Sequence, residues 1–222
     1  MAIPKGLEPT GVILADKPAG PSSFSIVARV RSATGAKTGH AGTLDPFATG
    51  LLVLLSGRAT SRQDRFMKLD KRYVTELDLR ARTTTGDPEG SVVEERDAPG
   101  RDELEHALDG LRGDVELPVP AASAVKIKGE RAYRLHRQGV TVEMPVRSMR
   151  VQELELVSYD GGIARVDLLV GSGTYVRSIA DRLGGHCVTL RRTEVGPFRV
   201  EEADETRVIP LEEALARLEV GR

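Results

Sequence analysis

Chemistry in this chain concentrates in one loop. The run Gly39-His40-Ala41-Gly42-Thr43-Leu44-Asp45-Pro46-Phe47-Ala48-Thr49-Gly50 places a carboxylate, Asp45, in a glycine-rich stretch just ahead of the continuous apolar run Leu51–Leu55. A carboxylate so placed can be a catalytic group, but Asp-Pro in a loop is also ordinary turn chemistry, and the residues alone favour the turn. Other constellations fail. Gly35-Ala36-Lys37-Thr38 lacks the glycine before the lysine and the one five residues earlier that a phosphate-binding loop needs, since Ala36 and Arg31 stand there. The four histidines (40, 106, 136, 186) and Cys187 have no paired metal-ligand spacing, so no metal is expected. No G-x-S-x-G elbow and no setting for a cysteine nucleophile occurs.

The elements around that loop can be read from period and punctuation. Gly11–Asp16 reads as a short buried strand. Ser22 or Ser23 can cap a helix carrying Phe24, Val27 and Val30 and stopped by Gly35. Residues 36–50 hold too much Gly, Thr and Pro for either regular period, whereas Leu51–Leu55 reads as a strand buried on both faces. Tyr73–Ala81 alternates as a strand with one wet face, and a turn at 86–90 leads to a hairpin partner at Ser91–Glu95. Residues 101–112 show a helical face of Leu104, Ala107, Leu108 and Leu111, and Leu117–Ala124 reads as extended loop. A basic helix is expected over Glu130–Gln138, strands over Val151–Ser158, Ile163–Val170 and Val188–Val195, and helices over Tyr175–Leu183 and Leu211–Leu218. Hairpin-connected strands with interspersed helices predict an α+β fold, a mixed and mainly antiparallel sheet with flanking helices, in one domain over 1–222.

Composition sets the outer limits. The 222 residues carry 32 Lys+Arg against 33 Asp+Glu, and 40% are hydrophobic, enough to bury a sizeable core and to exclude wholesale disorder. The near-neutral total hides segregation: residues 1–82 hold 13 basic and 7 acidic side chains, residues 83–116 hold 3 and 11, and residues 117–150 hold 7 and 2. Two basic stretches can make a groove for a polyanion, or can simply solvate surface helices. A lone cysteine, no leader-like apolar run at the N-terminus and no stretch of membrane-spanning length lead to the expectation of a soluble cytoplasmic protein, monomeric by default.

The loop GHAGTLDPFATG resembles the catalytic loop of the tRNA pseudouridine synthase B family, whose members make pseudouridine at uridine 55 of the tRNA T-loop. Further segments resemble that family in its own order over about residues 11–200: Asp16-Lys17-Pro18-Ala19-Gly20, Lys71-Arg72-Tyr73, Ser123-Ala124-Val125-Lys126 with Gly129-Glu130-Arg131-Ala132-Tyr133, Ser172-Gly173-Thr174-Tyr175-Val176-Arg177 and Leu190-Arg191-Arg192-Thr193. The chain departs from the family in Thr84, where Asp is usual, in a short connection between Arg182 and His186, and in ending soon after the catalytic region, without the C-terminal PUA domain of the bacterial type.

The resemblance implies a cofactor-independent isomerisation of uridine in the T-arm of tRNA, with no protein partner required. The N1–C1′ bond breaks, the base turns, and C5 joins C1′. Asp45 is the family's nucleophilic carboxylate, and either attack on C1′ or removal of the 2′ proton is open to it. Arg177 matches the arginine that pairs with it; a desolvated Asp would rise several units from about 3.9, and a neighbouring Arg lowers it by roughly 1–3. Tyr73 matches the active-site tyrosine that can stack on the uracil and whose phenol lies where C5 loses its proton. His40, Tyr175 and Leu190 match substrate-contact positions. Lys17, Lys126, Lys128, Arg131 and Arg134, with Arg137, are the basic residues assigned to RNA phosphates, which must help offset the few kcal/mol needed to flip the uridine out of its stack. Two alternatives accompany this reading: an RNA-binding or RNA-folding protein with a catalytically reduced pocket, and a synthase of the same fold acting on another RNA.

Overall fold

The computed structural model describes residues 10–220; residues 1–9, read above for a leader, lie outside the described residues. The chain divides into two compact units, one of residues 1–73 with 190–222 and one of residues 74–189.

The first unit starts with β1 (Gly11–Lys17), α1 (Ser23–Thr34), β2 (Thr38–His40) and β3 (Thr49–Ser56). A 3₁₀ turn (Gly57–Arg62), α2 (Gln63–Met67) and the start of β4 (Lys71–Asp78) follow. The Ser22 side chain accepts from the Ser25 amide and starts α1, and Gly35 ends it in the left-handed region, so both caps fall where the sequence puts them. The face differs: Ile26, Val27 and Val30 are buried, while Phe24 is 66% exposed. A 100° step per residue places Val30 between Ile26 and Val27 on the core stripe and turns position 24 out of it. β3 pairs antiparallel with β1, Lys17 opposite Gly50, and with β2, which forms inside the stretch expected to be irregular. Three residues are too few to show a period, so β2 rests on its partner rather than on its own pattern.

β3 is buried along its length because it is covered on both sides. Ile13, Ala15, Leu52 and Leu54 pack under α1, while Val12, Leu14, Leu51, Val53 and Leu55 join Phe66, Phe198, Ala214 and Leu218 on the other face.

In the second unit come β5 (Ala81–Thr83), β6 (Val92–Glu95), α3 (Arg101–Asp109), β7 (Gly113–Pro118), β8 (Lys126–Ile127), β9 (Glu130–Arg131), α4 (Ala132–Arg137), β10 (Val146–Asp160), β11 (Ile163–Val170) and α5 (Val176–Arg182). β12 (His186–Val195) leads back to the first unit, which closes with β13 (Phe198–Arg199), β14 (Asp204–Ile209) and α6 (Leu211–Val220). Its strand order is β14-β1-β3-β12; in the second unit β11, β10 and β7 lie side by side. β12 runs parallel to β3, Arg191 opposite Thr49 and Arg192 opposite Gly50, whereas β1–β3, β1–β14, β10–β11 and β7–β10 are antiparallel. The fold is α+β with a mixed, mainly antiparallel sheet, as expected.

Several boundaries correct the sequence reading. Leu117 and Pro118 end the strand β7 instead of belonging to a loop, and Pro118 sits at the end of β7, a strand at the edge of the sheet, where a missing N–H is tolerated. The basic helix is shorter than 130–138, because Glu130 and Arg131 pair with Ile127 and Lys126 in a small hairpin. β14 lies in a segment where the sequence shows no strand pattern, yet its Ile209 pairs with Val12. Among the described residues no helix is long and apolar enough to cross a membrane.

Candidate active site

Asp45, His40, Tyr73 and Leu190 fall in the first unit; Tyr175, Arg177 and the basic residues from Lys126 to Arg137 fall in the second.

The Asp45 loop leaves β2 at His40 and enters β3 at Thr49, and it is tied down at nearly every step. The Ala41 amide donates to Val53 O at 2.8 Å, and the Ala48 amide donates to Asp45 O at 3.1 Å, closing a turn around the half-buried aspartate. The Ser23 hydroxyl donates to Leu44 O (2.9 Å) and accepts from the Leu44 amide (2.8 Å), fixing both backbone groups of the residue before Asp45. Pro46 O accepts from the Gly20 amide at 2.8 Å. An aspartate held by its neighbours' backbone bonds loses little freedom when substrate arrives, which is the positional precision that covalent catalysis needs.

Lys17 requires a correction. It was assigned to RNA phosphates, but its side chain is fully buried, and its ammonium donates to the carbonyls of Pro18 (2.8 Å), Pro46 (3.1 Å) and Ala48 (2.7 Å). Three N–H donors meet three acceptors, two of them within three residues after Asp45, so Lys17 anchors the loop. Its signal in the sequence was the position itself, since Lys17 ends a buried strand.

Beneath the loop lie two further cations to which the sequence reading gave no task. Lys71 is buried and donates to Met67 O (2.7 Å) and Leu69 O (2.5 Å). Its burial, with the nearby Arg192 charge, pulls its pKa down to about 8, against a smaller upward pull from Asp70. Arg192 is buried on β12, two residues from Leu190 on the same face of the strand. Burial first, and Arg192 second, also lower the pKa of His40, favouring the neutral ring. His40 Nδ1 is buried without a hydrogen-bond partner among the described residues, while the His40 carbonyl accepts from Gln63 Nε2 at 2.8 Å. Tyr73 lies on β4 on the same buried face as Lys71.

In the second unit Arg177 sits on α5 and is 3% exposed. It donates to Thr85 O (2.8 Å) and Ala122 O (3.0 Å), and lies 3.2 Å from the equally buried carboxylate of Asp87. Asp87 in turn accepts from the Thr85 hydroxyl (2.5 Å) and the Glu89 amide (3.1 Å). The sequence reading took Gly86-Asp87-Pro88 for a turn alone, and Asp87 does make the turn; its second task as an ion partner leaves no trace in a turn motif. Tyr175 occupies the position before α5, half-buried. Lys126, Lys128, Arg131, Arg134 and Arg137 are all exposed on the β8–β9 hairpin and α4. The guanidinium groups of Arg134 and Arg137 each stand 5.9 Å from the centre of the Tyr133 ring. Among the described residues no three His, Cys, Asp or Glu side chains are arranged to hold a metal ion.

Comparison with known proteins bears on what such a loop does. The sequence model of the TruB family pseudouridylate synthase (N terminal domain) matches residues 30–176. The tRNA pseudouridine synthase B of Thermobifida fusca (strain YX) is 43% identical over 230 residues, covering 93% of this chain and 78% of its own length. This chain belongs to the TruB family. Its relative in Mycobacterium sp. (strain KMS), also a tRNA pseudouridine synthase B, is 42% identical over 206 residues, 87% of this chain and 69% of its own length. Among solved structures, a Cbf5-Nop10-Gar1 complex contains a chain that superposes with a TM-score of 0.66 at 28% identity, over 86% of this chain and 50% of that one. This TruB family chain therefore spans about half the length of that structural relative. The matched family segment includes Asp45, Tyr73 and Tyr175 and stops one residue short of Arg177.

Proposed function

We propose that this chain isomerises uridine to pseudouridine at position 55 in the T-arm of tRNA, without a cofactor, as a cytoplasmic monomer. The observation that carries the reading is the Asp45 loop: an aspartate whose neighbours on both sides, Leu44 and Pro46, are fixed through their backbone by Ser23, Lys17 and Gly20, in a chain 43% identical to a tRNA pseudouridine synthase B.

In this reading Asp45 acts on the ribose of a uridine flipped out of its stack, and the glycosidic N1–C1′ bond breaks. The freed uracil turns between the Tyr73 ring and the Leu190 side chain, C5 bonds to C1′, the proton on C5 leaves near the Tyr73 phenol, and N1 takes up a proton, so that atoms balance. Arg177 serves to keep the carboxylate charged while solvent is excluded, and its rigid seat on Thr85, Ala122 and Asp87 supports that task. His40 and Tyr175 contact the substrate loop; an imidazole kept neutral by burial costs less to bring against bases than a cation does. Phosphate contacts come from Lys126, Lys128, Arg131, Arg134 and Arg137, whose exposure supports the assignment. Mapping pseudouridine in RNA from cells lacking and then expressing this chain tests the reading: position 55 of tRNA gains the modification on expression. Modification confined to another RNA, or none at all, contradicts it.

A further inference from the structure

We infer that Arg192 is a positioning residue, a clasp that closes the base of the Asp45 loop by holding both of its ends. The inference rests on the reading of Asp45 as the nucleophile. Arg192 is 1% exposed and heads the large side chains buried most completely. Its Nε donates to Leu51 O at 2.7 Å, and its terminal Nη2 donates to Gly42 O at 3.0 Å. Gly42 precedes Asp45 by three residues and Leu51 follows it by six, so a single planar group bridges the two places where the loop leaves and rejoins the sheet. The backbone joins in: Arg192 lies opposite Gly50, and a Cβ on residue 50 would stand 2.2 Å from the Arg192 carbonyl oxygen, so only glycine admits this approach. At the other end Gly42 has a φ of 107°, and a Cβ there would sit 3.4 Å from the guanidinium.

The chemistry explains why an arginine is retained in the interior. A buried guanidinium is costly to desolvate, and two neutral carbonyls offset that less fully than a carboxylate would. An apolar side chain could fill the same volume, but it would leave Gly42 O and Leu51 O unbonded. A lysine would keep the charge without the fork: its compact ammonium cannot reproduce two donors set apart on one rigid edge. Lys71, already buried alongside, spends its own donors on Met67 O and Leu69 O. What Arg192 supplies is a rigid side-chain bridge between the two ends of the loop, beside the backbone bond from Ala41 to Val53 O.

The test compares wild type, Arg192→Lys and Gly42→Ala by steady-state kinetics on a tRNA transcript and by amide hydrogen exchange. Arg192→Lys is expected to lower kcat about 10- to 100-fold with KM little changed, as misplacement of a catalytic group by an ångström does. Exchange should rise at amides 42–50 while β1 and the rest of β3 stay protected. A residue that only stabilises the fold would instead lower the melting temperature and leave kcat of the folded protein intact, and that result, or unchanged loop exchange, overturns the inference. Should Arg192→Lys not fold, Gly42→Ala disturbs the same clasp from the loop side and must show the same selective loss of kcat; wild-type kcat there overturns the inference. Wild-type turnover tests the nucleophile reading separately, and if wild type is inactive, loop exchange alone decides about the clasp.

Discussion

Tyr73 and Lys71 occupy one face of the same strand and are given different tasks, one toward substrate and one toward the carbonyls of Met67 and Leu69. Tyr73→Phe keeps the ring and removes the hydroxyl. If the phenol handles the C5 proton, product formation should fall by about 10²-fold or more while tRNA affinity, measured by filter binding, is little changed. Equal losses in both would leave Tyr73 a stacking role only. For Lys71 the outcome is a pH dependence. Its pKa in the folded protein, about 8, lies below the 10.5 of a free lysine, so between these values the unfolded chain binds more protons than the folded one. Stability therefore rises with pH across that window, and below it the buried charge costs about 3 kcal/mol. Denaturant unfolding of wild type and Lys71→Met from pH 7 to 10.5 should show the rise in wild type and lose it in the variant. Parallel curves would mean that Lys71 titrates normally.

At the scale of elements, the same side chains that shape the site also hold each unit together. The pair formed by Arg177 of α5 and Asp87 of the turn after β5 is buried on both sides, so Asp87→Ala takes a buried carboxylate away from the guanidinium. Destabilisation of about 3–5 kcal/mol is expected in equilibrium unfolding, where an exposed pair such as Arg101–Glu105 would give well under 1. A loss as small as the exposed pair's would show that the other partners of Arg177, Thr85 O and Ala122 O among them, suffice to hold it. How much of this was legible depends on whether an element carries its own signal. β3 and α1 do, through an unbroken apolar run and through Ser22 and Gly35 as caps. β2, β8 and β9 are too short for any period, and β7 and β14 form because β10 and β1 offer them an edge. Asp45 was legible because its loop has a motif. Lys17 was legible as a position but misread in role, since a lysine beside a nucleic-acid site invites a phosphate assignment and burial is not visible in a motif. Arg192 and Asp87 act through pairings distant in sequence, 141 residues for Arg192 with Leu51, and nothing local announces them.

The whole molecule must meet a polyanion with a net charge of -1, so affinity has to come from local concentration of charge. The exposed cluster on the β8–β9 hairpin and α4 is the place named for it. Each phosphate contact contributes about -0.9 to the salt slope on duplex and about -0.7 on single strands. Lys126→Ala with Arg134→Ala should weaken tRNA binding and flatten the slope of log K against log salt by roughly one to two units. An unchanged slope would make this helix a solvated surface and move the RNA elsewhere. The proposed role of Asp45 is to isomerise a uridine of the tRNA T-arm. It is tested most directly by incubating an unmodified tRNA transcript with purified wild type or Asp45→Asn and mapping pseudouridine at nucleotide resolution. Wild type is expected to convert position 55, and the variant, which keeps size and much of the hydrogen bonding but lacks the anion, to bind the transcript and convert none; turnover by Asp45→Asn, or wild-type conversion only at other positions, would contradict the account.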